Sequence, residues 1–267
     1  MNSLTLSLGQ ISIEIGQPLK NLDKAVTMVR SAAAHHSRMI LFPELWTSGY
    51  DLANSEKYAL INAEIEIQLQ ALVEELKIII GGSYITADSS GFHNTFKLIH
   101  PGQKQEHPYY NKIHLFRLLA EDQWFIPGQK PTTIEYPWAK TGLSICYDLR
   151  FPELYRKYQA EGIGLGLNVA QWGAARRSHW RALLQARAIE NQCFMAAADA
   201  CGMLNEKGLA GSSMIVSPWG DILAEASPDE EELLTWTIDF DQLEEVRHRV
   251  PVEQDNQRQL YASWYTN

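Results

Sequence analysis

The chain has 267 residues, 45% hydrophobic and 21% charged, with a formal net charge of −9. This is the composition of a folded globular protein, and it excludes intrinsic disorder. The acidic balance supplies no basic field for phosphates, so no nucleic acid and no membrane partner is expected, and a small molecule remains.

In chain order, "LTLSLGQISIEI" alternates polar and apolar residues as a first strand does, and lacks the basic and apolar regions of a secretory signal. Helical spacing runs from Leu19 to His36, a strand follows in "RMILF", a helix from Glu64 to Leu76 and a strand in "KIIIGGSYI". That is βαβαβ order. Phe92 to Gln129 is polar, aromatic and punctuated by Pro and Gly, which predicts a hairpin followed by long functional loops. A second pass begins with strand "TGLSIC", then a helix from Pro152 to Glu161, strand "IGLGLNV", a helix from Ser178 to Asn191 and strand "CFMAAAD". Strands "SSMIVS", "DILAEA" and "ELLTWTI" and a short helix from Asp241 to Arg249 close the chain. No linker divides the two passes, so residues 1–267 are expected to form a single α/β domain. No apolar run approaches the roughly 18–20 residues that span a bilayer. Cys146, Cys193 and Cys201, an odd number without an export signal, favour a reducing, cytoplasmic setting over a disulfide framework.

No His, Cys and carboxylate cluster has convincing ligand spacing, so no metal and no cofactor is expected. His93, His100, His107 and His114 recur every seven residues, but Pro101, Gly102 and Pro108 interrupt any helix that would align them. Chemistry is better sought at the carboxyl ends of strands, where open α/β sheets bind ligands. Glu44 directly follows the strand in "RMILFPELW", and Cys146 ends the strand in "TGLSICYDLRFPEL". Pro152 suits the first turn of the next helix, and Asp148 and Glu153 favour its start, where a thiol is expected to shift toward thiolate.

Each residue also has a plainer role: Cys146 as a small buried hydrophobe, Glu44 as a surface carboxylate, Lys112 in "YYNKIHLF" as a solvated lysine. Together they supply a nucleophile, a base for its proton and a cation for oxygen charge, with the Tyr147 backbone amide as a second oxyanion donor. Cys193 and Cys201 lack such company and read as structural.

The segments "LFPELWTSGY", "YYNKIHLF" and "GLSICYDLRFPELYR" resemble, in order and spacing, the signature segments of the nitrilase superfamily, the carbon-nitrogen hydrolases. "EDQWFIPG", "HWRALLQARAIENQCF" and "SSMIVSPWGDIL" extend the resemblance over nearly the whole chain. It implies a four-layer αββα sandwich, a Glu44, Lys112 and Cys146 triad, a homodimer paired through a helical face, and Glu121 as a substrate-positioning carboxylate. Arg187, Glu190 and Asn191 are read as a polar network holding their helix. "NVAQWGAARRSHW" is similar to the omega-amidase branch, which hydrolyses the distal amide of dicarboxylic acid monoamides such as 2-oxoglutaramate. That implies Arg176 and Trp172 as substrate-binding residues, with Arg176 aligned better than Arg177. Nitrile or N-carbamoyl amine hydrolysis would use the same triad. A non-catalytic interaction protein would not need all three residues, and a thiol redox sensor would need a resolving cysteine that is not evident.

Overall fold

The computed structural model describes residues 2–103, 107–204 and 206–264. Strand β1 (Ser3–Gln10) leads through helix α1 (Pro18–Ala34) to β2 (Met39–Leu41), and α2 (Ser55–Leu76) leads to β3 (Ile79–Asp88), β4 (Gly91–Ile99) and β5 (Tyr109–Asn111). A short α3 (Glu121–Trp124) and β6 (Thr133–Ile134) precede the second pass of β7 (Thr141–Ile145), α4 (Pro152–Ala160), β8 (Leu165–Ala170), α5 (Arg177–Asn191) and β9 (Phe194–Asp199). A small hairpin of β10 (Met203–Leu204) and β11 (Lys207–Gly208) follows, then β12 (Met214–Val216), β13 (Ile222–Glu225) and β14 (Glu232–Asp239). Helix α6 (Gln242–Arg249) and the short α7 (Val252–Asp255) and α8 (Arg258–Ser263) end the described chain.

Two six-stranded sheets form, in the orders β14-β1-β2-β3-β4-β5 and β13-β12-β9-β8-β7-β6. β1, β2 and β3 run parallel, as do β7, β8 and β9, so each pass of βαβ supplies the centre of one sheet. Successive residues of a strand point to opposite faces, and β2 shows the consequence. Met39 and Leu41 enter the core shared by the two sheets with Leu143, Ile145, Leu165 and Leu167. Ile40 and the following Phe42 turn the other way, against Leu22, Val29, Ile65 and Leu69 of α1 and α2. Helices α4 and α5 cover the outer face of the second sheet through Tyr155, Trp180, Leu184 and Ala188. The result is the αββα layering expected.

Two boundaries differ from the sequence reading, and one strand pairing goes beyond it. The first strand stops at Gln10, whose side-chain amide donates to the carbonyls of Ser227 (2.6 Å) and Glu230 (2.8 Å) and turns the chain out of the sheet. Helix α2 begins at Ser55, well before Glu64, because Tyr58 and Asn62 are buried and prolong its inward face. "ELLTWTI" returns to the first sheet, pairing antiparallel with β1 from Ser3↔Asp239 to Gln10↔Glu232. The four evenly spaced histidines separate in space. His93 Nδ1 meets the Ile126 carbonyl at 2.9 Å, His100 Nε2 meets Tyr136 at 2.8 Å and is stacked on its ring, His107 Nδ1 accepts from His100 N–H at 3.5 Å, and His114 faces Asp148.

Candidate active site

The parallel strands β2, β7, β8 and β9 deliver polar residues where their carboxyl ends meet between the sheets. Glu44, three residues beyond β2, donates its N–H to the Ala170 carbonyl (3.3 Å), which ties the first sheet to the second. Leu45 then adopts φ +44° and donates its N–H to Ser83 Oγ at 2.8 Å. The Glu44 carboxylate is fully buried. Its Oε1 accepts from Lys112 Nζ (2.6 Å) and Asn94 Nδ2 (2.8 Å), and its Oε2 from the Gln171 N–H (3.1 Å).

Lys112 follows β5, where its N–H donates to the Asn94 carbonyl at 2.9 Å and its carbonyl accepts from Gly128 N–H at 2.8 Å. Gly128 is required by that approach, since a Cβ there would meet Asn111 O at 2.0 Å. Lys112 Nζ donates a second bond, 2.7 Å, to Oε2 of Glu121, which opens α3 after Ala120 at φ +58°. Glu121 also accepts from Phe116 N–H (2.6 Å), Asn94 Nδ2 (3.0 Å) and Tyr50 Oη (3.3 Å).

Cys146 directly follows β7, in the left-handed region at φ +43°, and opens a 3₁₀ turn through Arg150. The Tyr147 amide lies in its first turn, where N–H groups have no acceptor within the helix. A side chain in that backbone region is strained by about 1–3 kcal/mol and persists only where its surroundings hold it. The buried Asp148 carboxylate does so, with Oδ2 accepting from Ile145 N–H (3.0 Å) and Tyr110 Oη (2.9 Å) and Oδ1 from His114 N–H (3.0 Å). From the far side Arg187 donates two bonds, 3.0 and 2.8 Å, to the Leu149 carbonyl. Arg187 pairs with Glu190 at 2.7 Å and Asn191 Nδ2 donates to the Arg187 carbonyl at 2.8 Å, so the network read on α5 also braces the cysteine turn. Leu45, Ala120 and Cys146 place left-handed backbone beside or at three of the site residues, whereas Lys77 and Gln192 use it to end helices.

The electrostatics correct one expectation. Burial, and next the Glu44 carboxylate, push the Cys146 thiol well above its usual range, and Lys112 only partly opposes them. A short 3₁₀ start does not outweigh removal from water, so the resting sulfur is a thiol. Burial also pushes the Lys112 ammonium down, but Glu121 and Glu44 outweigh it and the lysine ends above its usual value, fully charged. Glu121 is raised by burial against the pull of Lys112. Two carboxyl groups already face the one ammonium in this dry site, and a preformed thiolate would bring a further negative charge into it. Passing the sulfur proton to a carboxylate as the sulfur attacks keeps the total unchanged.

Phe116, Tyr147, Arg150, Gln171, Trp172, Gly173 and Arg176 wall a small pocket at Cys146, with about 20 Å³ of open space. Arg176 reaches this pocket over the Phe116 ring, 5.8 Å from its centroid. Arg177 instead bonds the Ala210 carbonyl (2.8 Å) and faces Asp229 (3.4 Å). Trp172 donates Nε1–H to the Arg176 carbonyl at 2.8 Å. Cys193 and Cys201 are buried away from this wall, Cys193 against the Arg187 carbonyl at 3.9 Å and Cys201 bridged to Ser12. Sequence reasoning missed Asn94, Gln171, Arg150 and Asp199. Asp199 carried a signal of the same kind as Glu44, a carboxylate ending an apolar strand. It accepts Trp172 N–H (2.8 Å) and Ala200 N–H (2.9 Å), and burial raises its carboxyl well above the usual range. Among the described residues no group of three His, Cys, Asp or Glu side chains is arranged to hold a metal ion, and no helix is long and apolar enough to cross a membrane.

The carbon-nitrogen hydrolase family model matches residues 5–248. The chain belongs to the carbon-nitrogen hydrolase family. Within it, the chain is 36% identical over 260 residues to the 2-oxoglutaramate amidase of Bacillus subtilis, covering 96% of this chain and 99% of that one. It is 31% identical to the omega-amidase of Homo sapiens, covering 98% of each. Among solved structures, the superfamily protein XC1258 from Xanthomonas campestris, which carries an arsenic adduct in its active site, superposes with a TM-score of 0.88 at 30% identity, over 96% of this chain and 98% of that one. A mutant amidase from Nesterenkonia sp. AN1, in which acrylamide has added to the active-site cysteine, does so at 0.85 and 25% identity, over 98% and 99%.

Proposed function

We propose that this carbon-nitrogen hydrolase is an omega-amidase, hydrolysing the distal amide of a small carboxylate-bearing monoamide such as 2-oxoglutaramate to acid and ammonia. The observation that carries the reading is the buried bonding of Lys112 to Glu44 and Glu121 beside a thiol that keeps its proton, with Arg176 on the wall of the same pocket. The named relatives add to it, as does the cysteine adduct in the Nesterenkonia amidase.

Cys146 Sγ attacks the amide carbon while Glu44 takes the thiol proton. The oxyanion so formed is stabilised by Lys112 Nζ and the Tyr147 N–H, donors fixed in place before the charge develops. The C–N bond breaks as Glu44 returns the proton to nitrogen, ammonia leaves and a thioester remains. Water then adds, giving its proton to Glu44, and collapse of the second tetrahedral species frees the acid and restores the thiol. Glu121 positions Lys112 and takes no proton in this scheme, and Trp172 shapes the wall that holds the substrate's carboxylate end.

We further read the chain as one catalytic domain, cytoplasmic and homodimeric. The shared core between the sheets supports the first, and three unpaired buried thiols the second. Exposed Tyr261 and Trp264 near α4 support pairing, which light scattering after size exclusion tests by the mass in solution.

The activity is tested by ammonia release from a panel of amides, nitriles and N-carbamoyl amines. Preference for 2-oxoglutaramate and succinamate supports the reading, and preference for a neutral nitrile overturns it. A charge-assisted hydrogen bond contributes about 1.5–3 kcal/mol, so Arg176→Ala is expected to raise KM for carboxylate-bearing amides roughly ten- to a hundredfold and leave neutral amides of similar size almost unaffected.

A further inference from the structure

Asp199 closes β9, one of the parallel strands whose ends meet between the sheets, and the reaction described above makes no use of it. Its side chain is fully buried. Oδ1 accepts the Trp172 N–H at 2.8 Å and the Ala200 N–H at 2.9 Å, whereas Oδ2 has no hydrogen-bond partner among the described residues. The cations of this region are engaged elsewhere, Lys112 with Glu44 and Glu121, and Arg177 with the Ala210 carbonyl and Asp229. Burial and then Glu44 disfavour a charge on Asp199, Arg177 opposes them weakly, and such a charge would bear in turn on Cys146 and Cys201. A carboxylate with one bare oxygen in a dry site is costly, and a group so placed keeps its proton. The two amides do not require the ionised form, because the carbonyl oxygen of a neutral acid accepts both.

The amides beyond β8 tie this acid to the site. The Gln171 N–H goes to Glu44 Oε2 at 3.1 Å, and the very next one, of Trp172, goes to Asp199. One step of chain is thus held between the general base and Asp199. We infer that Asp199 is a positioning residue kept as a neutral carboxylic acid: through the Trp172 amide it fixes the pocket wall and the neighbouring amide that holds Glu44, without adding a negative charge beside Cys146. Neutrality matters because the reaction builds negative charge on the substrate oxygen, which a third carboxylate in the same dry region would oppose. The inference rests on the amidase reading for what a substrate reports, while the charge state is read with no substrate present. An asparagine would hold the same two N–H groups with no proton to lose, so Asp199→Asn separates the placing from the charge.

The test compares wild type, Asp199→Asn and Asp199→Ala in urea unfolding across pH and in KM for succinamate. An unfolded aspartate loses its proton around about pH 3.9 while the folded acid keeps it, so stability due to this residue is full below that pH and falls as pH rises. Between about pH 5 and 8, Asp199→Asn should remove about a tenfold change in the unfolding constant per pH unit, and should be more stable than wild type at about pH 8. An unchanged slope with a less stable Asp199→Asn would mean an ionised Asp199 and would overturn the inference. If that variant does not fold, infrared spectra decide. The carbonyl stretch of an un-ionised carboxylic acid at neutral pH, retained in Glu121→Gln, supports the inference, and its absence from wild type overturns it. Asp199→Ala strips the acceptor from the Trp172 and Ala200 amides, so KM should rise about tenfold, and Asp199→Asn should restore most of that loss. Wild-type KM in Asp199→Ala would overturn the positioning role. Wild-type failure on every amide defeats the amidase reading instead, and the slope in urea still decides the charge state.

Discussion

Lys112 Nζ stands 2.6 Å from Glu44 Oε1, and neither side chain is open to solvent. Because the ammonium is shared with Glu121 at 2.7 Å, removing it strands two carboxylates in a dry site. Breaking such a buried set by taking out one partner costs about 3–5 kcal/mol. Lys112→Ala is therefore expected to lose that much stability in urea unfolding and about 10²–10³ or more in kcat. Glu44→Gln keeps the shape and leaves Lys112 paired with Glu121, so its stability loss should be smaller while kcat falls about 10²–10⁴. Near wild-type kcat in either folded variant removes that residue's role.

Asp148 gives a second expectation, because its carboxylate holds the strained cysteine turn through Ile145 N–H and joins it to the lysine loop through Tyr110 and His114. Asp148→Ala leaves these buried donors without an acceptor at about 1–3 kcal/mol each. Calorimetry should show a large fall in Tm. Asp148→Asn retains one acceptor oxygen and should fall between it and wild type. Wild-type Tm in both would mean that the turn holds itself.

The buried thiols set a pH dependence. Burial raises Cys146 well above its usual value and Cys193 to about 12. Unfolded thiols ionise from about pH 8.5, so above that pH the unfolded chain binds fewer protons than the folded one and stability falls as pH rises. Each fully buried thiol contributes up to about 1.4 kcal/mol per pH unit. Cys146→Ala should flatten the decline between roughly pH 9 and 10 by about that amount. An identical slope in denaturant titrations would mean that the folded protein carries a thiolate.

Much of this site was legible in the sequence because strand ends and signature segments are local. Glu44, Lys112, Glu121 and Cys146 each stand in a short segment whose pattern marks them. Their partners are not local. Gln171 reaches Glu44 across 127 positions and Asn94 across 50, and neither residue carries a pattern that distinguishes it from an ordinary strand or loop amide. The return of β14 to β1 was hidden for the same reason, since alternation predicts a strand without naming its neighbour. The thiol's direction of shift was misread because a helix start is visible in sequence and burial is not.

Gly173 adds a prediction about Arg176. A Cβ at this position would lie 3.0 Å from Arg176 Nη2, so the guanidinium passes close over the glycine. The arginine end is flexible, so Gly173→Ala should fold normally with its Tm nearly unchanged. It should displace the guanidinium and raise KM for succinamate severalfold with little change in kcat. An unchanged KM would place the carboxylate elsewhere.

The central claim is that Cys146 carries the acyl group. The most direct measurement is acid-quenched intact-protein mass spectrometry of Glu44→Gln and wild type during turnover of 2-oxoglutaramate, followed by peptide mapping. The account expects a 2-oxoglutaryl thioester on Cys146, more persistent in Glu44→Gln where the base for water is missing, and none in Cys146→Ala. An adduct on Cys193 or Cys201, or ammonia release by Cys146→Ala at the wild-type rate, would contradict it.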